Sequence, residues 1–213
     1  MAKDNSDGAG GGAGIRASYL PQRHMREMQH VRRGRTQSGE PTSEGGSSAL
    51  LVIDMQNYTC HKDGALFTNQ SGRNFEYFWE RLETVTLPKL QMLLGKCRSE
   101  GVECIYTVIE CLTRDCRDNS ADYRVSGLQV PKGCWDARVL KVIEPHDDEI
   151  VIPKTSCNVF VSTNIDFVLR CLGVKHLIVS GTMNLLSVCL SLSLSFLSLL
   201  SLLSLLWCND SLV

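Results

Sequence analysis

The sequence predicts an α/β fold built on a parallel sheet. Three observations carry that expectation: apolar runs of strand length, amphipathic stretches of helix length between them, and glycines that close those stretches. The first run, Ala49-Leu50-Leu51-Val52-Ile53, is continuously apolar, as a strand covered on both faces requires. Leu90, Leu93, Leu94 and Cys97 then follow the i, i+3, i+4, i+7 spacing of one helix face, in a helix that starts or kinks around Pro88 and ends at Gly101. Val102 to Ile109, rich in β-branched residues, is the second strand. A long irregular stretch over 112–135 and a brief helix near Asp136–Val142 lead to a third strand, Glu149–Ile152. Asn164 to Leu172 reads as a helix closed by Gly173, and His176–Ser180 as the fourth strand. Strands separated by helices need right-handed crossovers, which make the sheet parallel.

The 213 residues suit one domain with tails. Lys and Arg number 22 against 23 Asp and Glu, a net charge of -1. No field of that size holds a polyanion, which excludes a dedicated nucleic-acid binder. Apolar residues reach 43%, enough for a core. The ten cysteines are scattered from Cys60 to Cys208 without a CxxC pair. No apolar signal segment follows the start. Free thiols in a reducing, cytoplasmic compartment are therefore expected.

Three compositions divide the chain. Residues 1–48 hold nine of the 17 glycines, seven Lys/Arg and five Asp/Glu, and predict a disordered tail that cannot bury enough apolar surface to offset its ordering entropy. Its Gly8–Gly14 run lacks the preceding strand that a dinucleotide fingerprint needs. Residues 49–182 carry the α/β pattern. In 183–213, thirteen of 31 residues are Leu and eight are Ser, and no charged residue occurs from Leu177 through Asn209. Read-through of a pyrimidine-rich intron gives such a repeat. The stretch is also long enough for a bilayer span, which would make the protein membrane-associated through 183–207.

In an open parallel sheet, ligands sit at the carboxyl ends of the strands, near the point where strand order reverses. Asp54 ends the first run and is followed by Met55-Gln56-Asn57; Glu110 ends the second, Lys154 the third, and Gly181-Thr182 the fourth. An acid and an amine at neighbouring strand ends meet in one pocket and pair. Each also has an ordinary structural reading, since an Asp after a strand often caps a helix and a Lys there is usually solvated. Asn57, Glu110, Gly181 and Thr182 are the candidate substrate-binding residues; for Glu110 a solvent-facing loop position is the equal alternative.

Together, Ala-Leu-Leu-Val-Ile-Asp-Met-Gln-Asn (49–57), Ile-Pro-Lys (152–154) and Leu-Ile-Val-Ser-Gly-Thr (177–182) resemble the isochorismatase-like cysteine hydrolases. Tyr106–Glu110, Val130-Pro131-Lys132-Gly133 and Asn164–Arg170 are most similar to plant and ureidoacrylate-amidohydrolase-type members. The resemblance covers about 49–182. It implies a Rossmann-like three-layer α/β/α sandwich, no cofactor, and hydrolysis of an amide or ureido C–N bond in a small-molecule substrate by an Asp, Lys and Cys triad. Asp54 would be the general base for the thiol, and Lys154 would hold the aspartate and favour the thiolate. Backbone N–H groups after strand four would stabilise the oxyanion. Some members hold a metal through an Asp-x-His arrangement; His61, His146 and His176 lack that spacing, and Cys111 and Cys116 lack a second pair, so no metal is expected.

The pattern departs from the family after Thr182. An ungapped match puts Ser187 in the place of the nucleophilic Cys, and a serine without a histidine base is a poor nucleophile. Cys189 lies about 200° further around a helix and faces elsewhere. The last strands of the family fold are missing or replaced, which would leave one flank of the sheet bare. The expectation is a marginally stable, catalytically impaired chain. Alternatives are a non-catalytic splice variant or partner subunit, which admits a homo-oligomer, and the membrane-tethered form. True isochorismate hydrolases dispense with the Cys and rely on the Asp, so loss of the thiol does not exclude all chemistry.

Overall fold

The structure is a computed structural model that describes residues 48–68, 70 and 73–182, together with the backbone of 203–204. The expectations for residues 1–47, Ser187, Cys189 and the membrane span lie outside the described residues.

Four strands, β1 (Ser48–Ile53), β2 (Glu103–Ile109), β3 (Ile150–Lys154) and β4 (His176–Gly181), form a sheet in the order β3-β2-β1-β4. Every pair is parallel. A two-residue strand, β5 (Leu203–Ser204), pairs in parallel beside β4, so this piece of the Leu/Ser segment joins the flank expected to be bare. The chain steps outward from β1 through β2 to β3, then returns to the other side of β1 for β4. That reversal puts the carboxyl end of β1 at the switch point. Pro153 lacks an N–H to donate, and β3 is paired on one side only among the described residues, the position that tolerates it.

Alternation along β1 separates the two faces. Leu50 and Val52 pack with Cys104 and Tyr106 against Leu90, Leu94 and Cys97 of α4 (Leu87–Ser99), the buried positions of the predicted helical spacing. Ala49, Leu51 and Ile53 pack with Ile105, Ile152 and Val179 against Ile165 and Leu169 of α7 (Ile165–Cys171). Helices on both faces of a parallel sheet make the three-layer α/β/α sandwich, and β1, covered on both sides, is apolar throughout. The side chain of Arg98, near the end of α4, grips Glu149 with two hydrogen bonds of 2.8 and 2.9 Å and donates to Tyr106 Oη at 3.1 Å, tying α4 to the start of β3.

Several elements differ from the sequence expectation. The helical run begins well before Pro88, with α3 (Glu76–Arg81) and a π turn over Leu82–Thr86. The Leu87 N–H reaches Leu82 O, five residues back. Pro88 carries no N–H, and its ring would meet the carbonyl four residues back in a regular helix; the widened turn relieves that conflict. The expected helix near Asp136–Val142 is a 3₁₀ turn at Lys141–Ile143, because Val139 is drawn into an antiparallel bridge with Gln56. The stretch 112–135 contains α5 (Ala121–Ser126), stopped by Gly127 at φ +71°. Short helices α1 (Asn57–Cys60), α2 (Ala65–Thr68) and α6 (Val159–Ser162) were also unforeseen, being too brief to show a period.

Candidate active site

Asp54 follows the last residue of β1 at φ +53°, a left-handed conformation uncommon outside glycine. Its surroundings impose it. The Asp54 N–H extends the ladder to Thr107 O at 3.0 Å, while its carbonyl accepts from the hydroxyls of Thr59 and, at 3.1 Å, Thr182. The side chain turns inward. Thr107 Oγ1 donates to Oδ1 at 3.1 Å, and Oδ2 lies 2.9 Å from Lys154 Nζ. Both charged residues are 1% exposed.

The strand order explains why a lysine stands at this tip. β2 separates β1 from β3, so the two strand ends are about 9.5 Å apart at 4.7–4.9 Å per step. The four-carbon stem crosses the tip of β2 beside Thr107, which no shorter cation could do. The remaining ammonium protons go to Tyr123 Oη at 3.0 Å and to the carbonyls of Ser156 and Cys157 at 3.3 and 3.4 Å. Burial raises the Asp54 carboxyl above the ordinary carboxylate range, against the opposing pull of the ammonium and the Thr107 hydroxyl. Oδ2 accepts no further hydrogen bond among the described residues, so it keeps a lone pair able to take a proton. Tyr123→Phe removes the shortest of the neutral contacts to the ammonium and leaves it the carboxylate and two longer carbonyl contacts; a stability loss of about 1.5–3 kcal/mol is expected in urea denaturation.

The sequence-predicted residues fall into two groups. Asp54, Lys154 and Thr182 converge. Gly181 abuts the same point, in register with Ile53, where any Cβ would lie 2.2 Å from Ile53 O. Asn57 and Glu110 stand apart, at a cleft of about 1130 Å³ that also includes His61, Trp79 and Trp135; Asp54 and Lys154 are closed off from it. Both polar side chains hold its wall: Asn57 Nδ2 donates to Trp135 O at 2.9 Å, and Glu110 accepts from the Gly133 N–H at 2.7 Å. Gln56, wholly buried, stitches the turn after β1 to the end of β2 through Ile109 N and O at 2.6 and 2.9 Å.

Sequence reasoning missed Thr59, Thr107 and Tyr123. Thr107 had a signal, as a polar residue on a strand otherwise apolar along Ile105, Thr107 and Ile109. Tyr123, within the stretch read as irregular, had none. Cys60 lies 4.0 Å from Asp54 O, but burial pushes its thiol up to about 12, so it stays protonated and inert. Among the described residues, no group of three or more His, Cys, Asp or Glu could hold a metal ion, and no helix is long and apolar enough to cross a membrane.

Comparison with known proteins bears on the fold and the family. The cysteine hydrolase of Pseudomonas syringae pv. phaseolicola shares the fold, with a TM-score of 0.54 and 24% identity over 68% of this chain and 62% of that one. Ureidoacrylate amidohydrolases RutB from Agrobacterium fabrum and Rhizobium rhizogenes are each 34% identical, over 156 and 157 residues. Those matches take in 66% of this chain and 65% and 61% of the relatives, so the chain spans less than two thirds of their length. Residues 48–191 match the isochorismatase domain. The chain belongs to the isochorismatase family.

Proposed function

We propose that this chain carries the charged half of a hydrolase site for the amide or ureido C–N bond of a small molecule, and that Ser187 in the nucleophile's place leaves it catalytically impaired. The observation that carries the reading is the buried Asp54–Lys154 pair, 2.9 Å apart at the switch point of the sheet. The ureidoacrylate activity in the relatives' names supports the substrate class.

In this reading Asp54 is the general base. Its raised carboxyl holds a proton more readily than an exposed carboxylate, and Oδ2 is the atom left to receive one. Lys154 supplies a fixed positive charge that orients the carboxylate and favours a thiolate beside it. Thr59 and Thr182 hold the Asp54 backbone in its turn, so the carboxylate faces inward instead of capping α1. Gly181 and Thr182, beside the pair, are proposed to border the substrate, whereas Asn57 and Glu110 shape the separate cleft. The scattered cysteines, without a CxxC pair, support a cytoplasmic setting.

Release of ammonia from ureidoacrylate tests both halves. The chain as it stands is expected to give background rates. Ser187→Cys restores a thiol and raises the rate, and Asp54→Asn in that variant removes about 10²–10⁴-fold of it. An unaltered chain working at an ordinary enzyme rate of about 10 s⁻¹ overturns the impairment. A Ser187→Cys variant with no gain overturns the assignment of the nucleophile's place.

A further inference from the structure

Cys111 and Cys116 take no part in the site described above, yet the backbone sets them side by side. Cys111 follows the end of β2, where its N–H bonds Val130 O at 2.8 Å. The chain then doubles back: the N–H groups of Cys116 and Lys132 both reach Thr113 O, at 3.4 and 3.3 Å. Asn119 joins the two cysteines. Its side-chain oxygen accepts from Cys111 Sγ at 3.2 Å, and its N–H bonds Cys116 O at 3.1 Å. The Cys116 thiol is close enough to that of Cys111 to influence its ionisation.

Both cysteines are free and nearly buried, 2% and 6% exposed, but the loop over them faces solvent, with Leu112 at 56%. Cys116 sits at φ +54°; Asp54 is the other non-glycine residue at positive φ among those described. A cysteine in that conformation is strained and persists only where its surroundings impose it. Two neighbouring thiols under a short, exposed, strained loop are candidates for thiol–disulfide exchange.

We propose that Cys111 and Cys116 form an intramolecular disulfide on exposure to a low-molecular-weight disulfide, making this loop an oxidisable latch. The Cys116 thiolate attacks one sulfur of the small disulfide, forms a mixed disulfide and expels a thiolate, which takes up the proton Cys116 gave. Cys111 then loses its proton, attacks the Cys116 sulfur and expels the second small thiolate, which is protonated in turn. Two protein thiols and one small disulfide become one protein disulfide and two small thiols. Cys111 acts second because burial, reinforced by the neighbouring Cys116 thiol, pushes its own thiol up to about 12.

The oxidised latch lacks the S–H that donates to Asn119. That residue holds Leu128 O at 2.7 Å, and the next N–H, on Ser120, bonds Thr155 O at 3.0 Å beside Lys154. α5 starts there and carries Tyr123 to the ammonium. Oxidation therefore acts on the segment that supports the charged pair.

The test is peptide mapping of the native full chain after incubation in oxidised glutathione, acid quenching, alkylation with N-ethylmaleimide and trypsin digestion. Cleavage after Arg114 separates the two cysteines. The expected product joins Ser99–Arg114, carrying N-ethylmaleimide on Cys104, to Asp115–Arg117, lighter by two hydrogens than the Cys104-labelled peptide and Asp115–Arg117 together. Cys111→Ser abolishes it and leaves glutathione on Cys116. The unaltered chain oxidised in concentrated guanidinium spreads its disulfides among many cysteines, which separates a native pair from chance pairing. Alkylated Cys111 and Cys116 in the native chain, or linkage of either to Cys134 or Cys157, overturns the proposal. The readout does not pass through hydrolysis, so it fails or succeeds independently of the roles given to Asp54 and Lys154.

Discussion

Lys154→Met destabilises the folded chain by about 3–5 kcal/mol, because it strands the Asp54 carboxylate, 1% exposed, without its counter-charge. That is a large share of the 5–15 kcal/mol that holds an ordinary domain. Methionine keeps the length and apolar stem of the lysine, so the loss reports charge more than packing. The pair acts as a unit: Asp54→Asn combined with Lys154→Met recovers most of the loss, since neither side then leaves an unpaired charge.

The pH dependence of the single variant has a definite sign. Burial already raises the folded Asp54 carboxyl above its unfolded value, and removing the ammonium raises it further. A carboxyl raised on folding binds its proton more tightly in the folded state. Its contribution to stability is complete below the unfolded value, near 3.9, and is lost as the pH climbs through the folded value. Urea denaturation of Lys154→Met should therefore show a smaller deficit at about pH 4.5 than at about pH 7.5. A deficit equal at both would mean that the lysine contributes packing alone.

Gly181→Ala is expected to cost about 4 kcal/mol or more, through backbone instead of charge. The new Cβ would lie 2.2 Å from Ile53 O, 2.6 Å from Ile53 N and 2.9 Å from its carbonyl carbon. These are main-chain atoms of the central strand and have no rotamer to give. At φ +122° an alanine is strained even before that clash. β4 must withdraw from β1, taking the Thr182 bonds to Ile53 O and Asp54 O with it. Thermal denaturation should show a fall of about 8–16 °C. Gly95→Ala, on α4 with nothing within 4 Å, is the control and should be neutral or stabilising by up to about 1 kcal/mol.

These two residues also show what the sequence could disclose. Strands end where apolar runs end, so Asp54, Lys154 and Gly181 were visible as tips of the sheet. Their convergence followed from the parallel topology and from motif resemblance. Thr59 and Tyr123 were not visible, because each reaches the site from a helix too short to leave a periodic trace, and Tyr123 arrives from 31 positions before the lysine it holds. The π turn ahead of Pro88 was hidden for a different reason: proline signals a break, and only the packing of Leu82 beneath the helical run shows that the chain passes through it. The cleft beside Asn57 and Glu110 was likewise beyond reach, since the loop that forms one of its walls is held at Trp135 and Gly133 by hydrogen bonds to the Asn57 and Glu110 side chains.

The charged contact joins residues one hundred positions apart, with an intervening ribbon between them. Such a contact has a place in time as well as in space. The aspartate emerges early in synthesis and must wait, hydrated, until the outer ribbon has been laid down and its amine can stretch across. Docking of that edge and burial of the ion pair are thus a single event, and a partly assembled molecule has no means of holding the carboxylate out of water.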